Sequence, residues 1–516
     1  LRQDPEGSYA RMDFASRDRY RHVVEALAKT SSTSEPEVAR AAIRLASAAA
    51  QVEPGGRRTH VGYYLVDAGK EELEKTTQRR FTAFETLRRL ARRRASFVYL
   101  GGIILLTAFV SGVIMQLAPL STLSNVVIAG LFVLVVIASS QPAVELVNWL
   151  STLFARPRLL PRMDYSQGIP AHVRTLVVVP TFLLSPKNID ELIEALEVRF
   201  LANRDDNLYF GLLTDFRDAE KESLPGDDDL LQQARSRIDE LNAKYREQQA
   251  FFLFHRPRRW NAAENLWMGY ERKRGKLAEL NALLRAGHAS GFSTIVGNIA
   301  LLRDIKYVIT LDTDTHLPRD SARQFVGTMA HPLNRAQYVE SRKRVCQGYG
   351  ILQPRVSMSL SGTNRSAYAR LFGGEPGIDP YTRAVSDVYQ DLFQEGSFIG
   401  KGIYDVDAFE SALKDRLPEN LILSHDLLEG CYARAGLLSD VQLYEEYPSG
   451  YQADIQRRHR WIRGDWQVLH WLFPSVPGTH SDRHRNPLTL LSRWKLFDNL
   501  RRSLLPVALT LLLLLD

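Results

Sequence analysis

Cysteine is nearly absent. The 516-residue chain has two, Cys346 and Cys431, too few for a disulfide framework, and no CxxC or Cys/His spacing suggests zinc. The pattern is that of a chain facing a reducing cytosol, and no signal-peptide pattern is present. A dominant charge sign is lacking too: 66 basic against 59 acidic residues leave +7. That surplus fits nucleic acid, an anionic membrane face or an anionic substrate equally well, so its location decides. Compositional bias is missing as well. With 45% hydrophobic and 24% charged residues, disorder, collagen and a coiled-coil rod are excluded. The mean hydropathy of −0.21 also looks soluble, but an average hides local concentration. At about 150 residues per domain the length suggests two to four domains. The sequence starts at Leu1 and stops at Asp516 inside an apolar run, so we expect a piece of a longer protein.

What is there is unevenly distributed. Residues 1–95 are polar with helical periodicity. Helices are expected from Ser16 through Leu27, over Pro36–Ala50 and over Phe81–Arg94. Nothing there carries chemistry, and a docking or capping role is expected. Two uncharged apolar runs follow, Phe97–Leu117 and Leu123–Ala143. Each matches the roughly 20 residues a spanning helix needs, and the short link Ala118–Thr122 makes them a transmembrane hairpin within 96–145. Arg88, Arg89, Arg92, Arg93 and Arg94 precede the pair, and Arg156, Arg158 and Arg162 follow it in an interfacial linker, 146–170. Arginine on both flanks puts both on the cytoplasmic side. Arg501 and Arg502 precede Leu504–Leu515, the start of a further span in 501–516. The basic surplus thus points to a lipid bilayer. Nucleic acid would need a basic stripe with interleaved aromatics on the soluble part, and the clusters flank the spans instead.

Between the spans, short apolar runs alternate with helical stretches. The runs are Leu176–Val179, Leu208–Leu213, Phe251–Phe254, Tyr307–Leu311 and Gly350–Leu352; the helical stretches include Asn188–Ala202, Asp227–Gln249 and Gly275–Gly287. Continuous apolar strands suit a sheet covered on both faces, so 171–455 is expected to be an α/β domain with a mostly parallel sheet flanked by helices. Such sheets bind ligands beyond the carboxyl ends of their strands, and acidic residues cluster there.

The strongest signal is the strand that runs from Lys306 to Leu311 into Asp312-Thr313-Asp314. Alternation points the two carboxylates the same way. They form either a capped turn or a site for Mg²⁺ or Mn²⁺, hard cations that take oxygen ligands and leave positions open for phosphate. Asp215 ends another strand. Asp426 follows Ser424 and His425 and precedes Glu429 at a helix start; Ser424 could cap that helix, and Asp426 is either a favourable charge at the dipole or a reacting carboxylate. Residues 454–473 mix arginine and tryptophan. Gln456, Arg457, Arg460 and Trp461 suit a diphosphate, which arginine binds bidentately, whereas 466–473 reads as an amphipathic helix in the membrane interface with tryptophan at headgroup depth. Gly275-Lys276 with Asn281 is either a phosphate cradle or an ordinary helix start.

Together these residues resemble the processive, membrane-embedded, inverting transferases of the cellulose synthase and hyaluronan synthase type, members of glycosyltransferase family 2. Their order of motifs is an aspartate, DxD, an acid-base aspartate, then QxxRW. Asp215, Asp312 with Asp314, Asp426, and Gln456 through Trp461 follow that order. Pro180 and Thr181, Lys276 with Asn281, and Gln353-Pro354 also fit. The stretches LDTDTHLPRDSARQFVGTMAHPLNRA, GYGILQPRV and EGSFIGKGIYDVDAFE resemble, more closely, the glycosyltransferase region of the bacterial cyclic β-1,2-glucan synthases. Two departures stand out. The acid-base motif reads Ser-His-Asp instead of Thr-Glu-Asp. Gln456 lies four residues before Arg460, so Gln456 and Arg457 both remain candidates for the glutamine role.

The resemblance implies a GT-A fold, UDP-glucose as donor, Mg²⁺ or Mn²⁺ as cofactor and β-1,2-glucan as product, made at the bacterial inner membrane. It implies metal at Asp312 and Asp314, a base at Asp426, and donor contacts from Pro180, Thr181, Asp215, Lys276, Asp312, Gln456, Arg457, Arg460 and Trp461. Trp461 and Lys401 are the acceptor-side candidates, with interface helices through 456–500. It also implies a protein-linked primer, with Tyr245 and Tyr270 as exposed candidates, and further, phosphorylase-like domains in the same polypeptide. Other β-glycan synthases, such as those making cellulose or mannan, and a non-catalytic scaffold are the alternatives.

Overall fold

The computed structural model describes residues 1–515 apart from 80, 120, 122, 156, 288–290, 374–381, 384–385, 423–424 and 480–481. Arg156 of the second basic cluster, Thr122 of the hairpin link and Ser424, the expected helix cap, lie outside the described residues.

The core is a sheet of eight strands: β1 Thr175–Leu183, β2 Leu208–Phe216, β3 Phe251–Arg256, β4 Thr294–Val296, β5 Tyr307–Thr310, β6 Ile351–Met358, β7 Gly402–Asp405 and β8 Ala435–Glu445. Their order across the sheet is β8-β6-β7-β5-β1-β2-β3-β4. β1 pairs in parallel with β2 and β5, β2 with β3, and β6 with β8. β4 and β7 run antiparallel. The expected mostly parallel sheet is therefore present as a mixed one. All nine residues of β2 are buried, as a strand with helices on both faces requires. The short strands β4 and β7 and the strand β8 were not anticipated; β8 alternates polar and apolar residues toward its end, which weakens its signal.

The helix Pro186–Ala202 begins at Ser185, whose hydroxyl accepts from the Asn188 amide, and its buried face is Ile189, Leu192, Ile193, Leu196, Arg199 and Phe200. The helix expected from Gly275 starts a turn earlier, at Arg272, so Gly275 lies inside the first turn. A side chain at Gly275 would run into the Tyr270 carbonyl, so glycine there serves close packing.

In the N-terminal region the first long helix spans Phe14–Lys29 and is capped by Asp13, which accepts from the Ser16 amide at 2.9 Å. Ser16 does not open the helix: its hydroxyl accepts from the Arg162 amide at 2.9 Å instead. The next helix, Glu35–Val52, has a capping box of Ser34 and Glu37. This region docks on the α/β layer and shares its hydrophobic core. Fully buried Asp4 and His60 pair at 2.8 Å, and the His60 ring meets His331 edge-on, 5.1 Å between centroids.

Two helices, Ala95–Leu117 and Asn125–Phe154, are long and apolar enough to cross a membrane. They pack together, and Tyr99 donates to Asn148 at 2.8 Å. The second continues past Pro142, where Ser140 donates to the Ile137 carbonyl at 2.6 Å, and so runs into the stretch expected as linker. The last helix, Leu490–Leu515, is charged in its first half; Arg501 donates to Ser140 and Gln141 of the second, at 2.9 Å each. Residues 466–473 correct the expected interface helix. The helix Tyr451–Gln467 ends in a 3₁₀ turn, Val468–Leu472, and Trp471 is fully buried with its indole N–H on the Tyr432 hydroxyl at 3.1 Å. Trp466 is exposed, as an interface residue would be.

Candidate functional site

The sheet delivers its acids to one edge. β5 ends at Thr310, and the turn after it carries Asp312 and Asp314. This turn is tied to β8, because the His316 amide donates to the Tyr444 carbonyl at 2.8 Å. The next residue of β8, Glu445, thereby joins the aspartates. Ligand oxygens of Asp312, Asp314 and Glu445 lie within 4.8 Å of one another. From below, the buried Arg199 donates to the carbonyls of Thr313, at 2.8 Å, and Thr315, at 2.9 Å, and holds the turn. Burial pulls this guanidinium down to about 10.

Two lysines serve these carboxylates. Lys273 donates to one Asp312 oxygen at 2.7 Å and to the Gly400 carbonyl at 2.8 Å. Lys401 lies 3.1 Å from the other Asp312 oxygen and contacts Glu445. Burial pushes the Asp312 carboxyl up, but the two ammonium groups outweigh it and hold it at about 2. Asp314 is exposed, and desolvation together with the Asp312 charge pushes it up. Three carboxylates with no nitrogen or sulfur among them form an oxygen-only donor set, which could hold Mg²⁺ or Mn²⁺. The fit rests on that donor chemistry; the cation that the burial of Glu445, 2% exposed, requires is already present as Lys401.

Asp426 is the first residue of the helix Asp426–Ala433, with His425 at its N-cap. His425 is buried and pairs with Glu429 at 2.8 Å. Asp426 stays partly exposed; desolvation pushes its carboxyl up, opposed by the charges of His425 and Lys273. Gly400, at φ +87°, lets the two approach: a side chain there would lie 2.8 Å from the Asp426 carboxylate. Through Gly400 and Lys273, Asp426 is adjacent to the Asp312 cluster.

Asp215 comes to the same edge but is locked. Register places it opposite Arg256 on β3, and the guanidinium holds it with two hydrogen bonds of 2.8 Å. Lys276 adds a second partner at 3.2 Å and also donates to the Thr181 carbonyl at the end of β1. Burial pulls Lys276 down to about 8, even beside Asp215. Pro180 is half-buried on β1, and Asn281 accepts from the Tyr404 hydroxyl at 2.9 Å. Gln353 accepts from the Ile399 amide at 3.0 Å.

On the helix Tyr451–Gln467, Arg457 stacks over Trp461 at 4.8 Å, and its charge reaches Asp314. Gln456, Arg460 and Trp461 are exposed. Lys401, expected on the acceptor side, is 6% exposed and sits among the carboxylates. Tyr245 and Tyr270 are half-buried rather than exposed, and their hydroxyls donate to Glu197 and Glu419. The sequence reading missed Glu445, Lys273, Arg199 and Arg256. Glu445 had a signal: it falls on the buried phase of β8 with Val441 and Leu443.

No family model matches the chain. The chain is 44% identical over 511 residues, 98% of its length, to the cyclic beta-(1,2)-glucan synthase NdvB of Rhizobium meliloti (strain 1021). It spans 18% of that protein's length, and so is similar to one region of a cyclic glucan synthase, as its motifs implied.

Proposed function

We propose that this chain, similar as it is to a region of a cyclic glucan synthase, is the transferase module: a processive, inverting, GT-A glucosyltransferase that extends a β-1,2-glucan from UDP-glucose. The observation that carries the reading is the meeting of Asp312, Asp314 and Glu445 with Asp426 at one edge of the sheet. The two membrane-length helices support a module held in the bacterial inner membrane with the sheet facing the cytoplasm, and the apolar stretch from Leu504, at the end of the last helix, starts a further span.

In this reading Asp312, Asp314 and Glu445 hold Mg²⁺ or Mn²⁺. An ion held there would supply positive charge against the leaving diphosphate. Arg457 and Arg460 bind the diphosphate as well, and Trp461 lines the acceptor path. Asp215 and Lys276, with Pro180 and Thr181, form the floor on which the nucleoside rests. Asp426 takes the proton from the 2-hydroxyl of the terminal glucose. That oxygen bonds to the donor's anomeric carbon as the bond to the diphosphate breaks, so an α-linked donor gives a β-linked product. The glucan grows on a protein-linked primer, and further domains of the longer polypeptide act on it afterwards.

Membranes bearing the chain, incubated with UDP-glucose and Mn²⁺ or Mg²⁺, are expected to form β-1,2-linked glucan. A product of another linkage refutes the product assignment, and no consumption of UDP-glucose refutes the enzyme.

A further inference from the structure

We propose that Lys401 is a built-in rival of the divalent cation, and that it makes cation capture by Asp312, Asp314 and Glu445 conditional on the donor diphosphate. The proposal rests on the transferase reading above.

The two lysines are placed differently. Lys273 is anchored on a neutral group, the Gly400 carbonyl, as well as on Asp312, so it can steady that carboxylate whatever else binds. Lys401 has carboxylates alone as its ion-pair partners: it bridges Asp312 and Glu445, two of the three acids that would ligate the cation. Its ammonium thus occupies the ground between them, and it is 6% exposed, so water cannot take over as partner. It sits between Gly400 and Gly402, both at positive φ, a backbone path that residues with side chains rarely take.

A cation and this ammonium require the same oxygens, and like charges so close repel. An ammonium stripped of its partners in a buried place is costly. Lys401 can yield its carboxylates without that cost only if another anion arrives, and the anion this site receives is a nucleoside diphosphate. Lys401 then passes from the carboxylates to a phosphate oxygen. Cation and diphosphate therefore favour each other, by the same factor in both directions.

The test is Mn²⁺ binding to the full chain in nanodiscs, read by electron paramagnetic resonance of free Mn²⁺, with and without UDP. For the wild type, UDP is expected to tighten Mn²⁺ binding tenfold or more. In Lys401→Met, Mn²⁺ without UDP should bind at least tenfold tighter than in the wild type, and UDP should tighten it by a factor at least threefold smaller than in the wild type. Lys401→Arg should keep the coupling. Lys401→Gln, which keeps a hydrogen-bond donor, replaces the methionine variant if that one does not fold. An Mn²⁺ affinity that is unchanged or weaker in the neutral variants without UDP, or a coupling undiminished in them, overturns the proposal and leaves the transferase reading standing. If the wild type binds no Mn²⁺ even with UDP, or Asp314→Asn binds it as the wild type does, the metal assignment fails and takes the proposal with it.

Discussion

Replacing Arg256 by methionine isolates what holds the donor edge of the sheet together. Arg256 and Asp215 are 2% and 1% exposed and share two hydrogen bonds of 2.8 Å. The same guanidinium donates to the carbonyls of Tyr270, at 3.0 Å, and Arg272, at 3.2 Å. Methionine fills the volume but leaves Asp215 with Lys276 as its remaining charge partner. Breaking one side of a buried pair costs about 3–5 kcal/mol. The lost bonds to Glu279 and to the Tyr270 carbonyl push toward the upper figure and Lys276 toward the lower, so about 4 kcal/mol is expected. At roughly 2–4 °C per kcal/mol for a domain of this size, the midpoint should fall by about 8–16 °C. Thermal unfolding of the purified chain, followed by tryptophan fluorescence, measures it. Adding Asp215→Leu should restore most of the loss, since apolar replacement of a whole buried pair is close to neutral. A fall below about 1 kcal/mol, or a double variant as unstable as the single one, refutes the argument that the pair locks the edge. The outcome also bears on Asp215 itself: if Asp215→Asn lost UDP binding at unchanged stability, the residue would be a donor contact and not a strand lock.

Asp426→Asn should keep UDP binding, measured by calorimetry, and lose glucosyl transfer by at least about 10²-fold, the scale of general-base catalysis; wild-type rates would remove the base assignment. Arg199→Met should loosen the turn of Asp312 and Asp314, lowering the unfolding midpoint and weakening Mn²⁺ binding, with only partial rescue by Arg199→Lys because lysine lacks the fork that spans two carbonyls. His255 is fully buried, and burial pulls it from 6.5 down to about 4. The folded state therefore refuses a proton that the unfolded chain takes, so stability is lost as pH falls from about 6.5 toward 4, by about 3 kcal/mol in all. His255→Phe should flatten that part of the pH–stability curve, and an unchanged slope would contradict the buried neutral imidazole.

The sheet was legible because its central strands announce themselves. Leu176–Val179, Leu208–Leu213 and Phe251–Phe254 are continuous apolar runs, and each became part of a buried strand. Tyr307–Leu311 was read for the same reason. The antiparallel β4 and β7 are three and four residues long, too short to show any period. Two helix starts were misplaced: Asp13, not Ser16, caps the first helix, and the expectation at Gly275 mistook a packing glycine for a boundary. Trp471 was misread because an aromatic in an amphipathic run satisfies a membrane interface and a protein core equally well, and only the Tyr432 hydroxyl, 39 residues away in sequence, decides between them.

The site divides along the same line. Aspartates at strand ends could be found from local pattern, since a strand period fixes where they emerge. Their counter-ions could not, because each comes from a distant element: Lys273 from a helix before β5, Lys401 from the residue before β7, Arg256 from β3. Nothing in the spacing of a lysine says which carboxylate it will meet. Yet the counter-ions set the chemistry. Asp312 has both oxygens on lysines and is held near 2, while Asp314, two residues on, has neither lysine in contact and is pushed the other way. Two acids equivalent in the motif are thus inequivalent in the fold. If the cation is held as proposed, Asp314 is the ligand it can take without displacing a charge, and Asp312 and Glu445 are the ligands for which it must compete with Lys401.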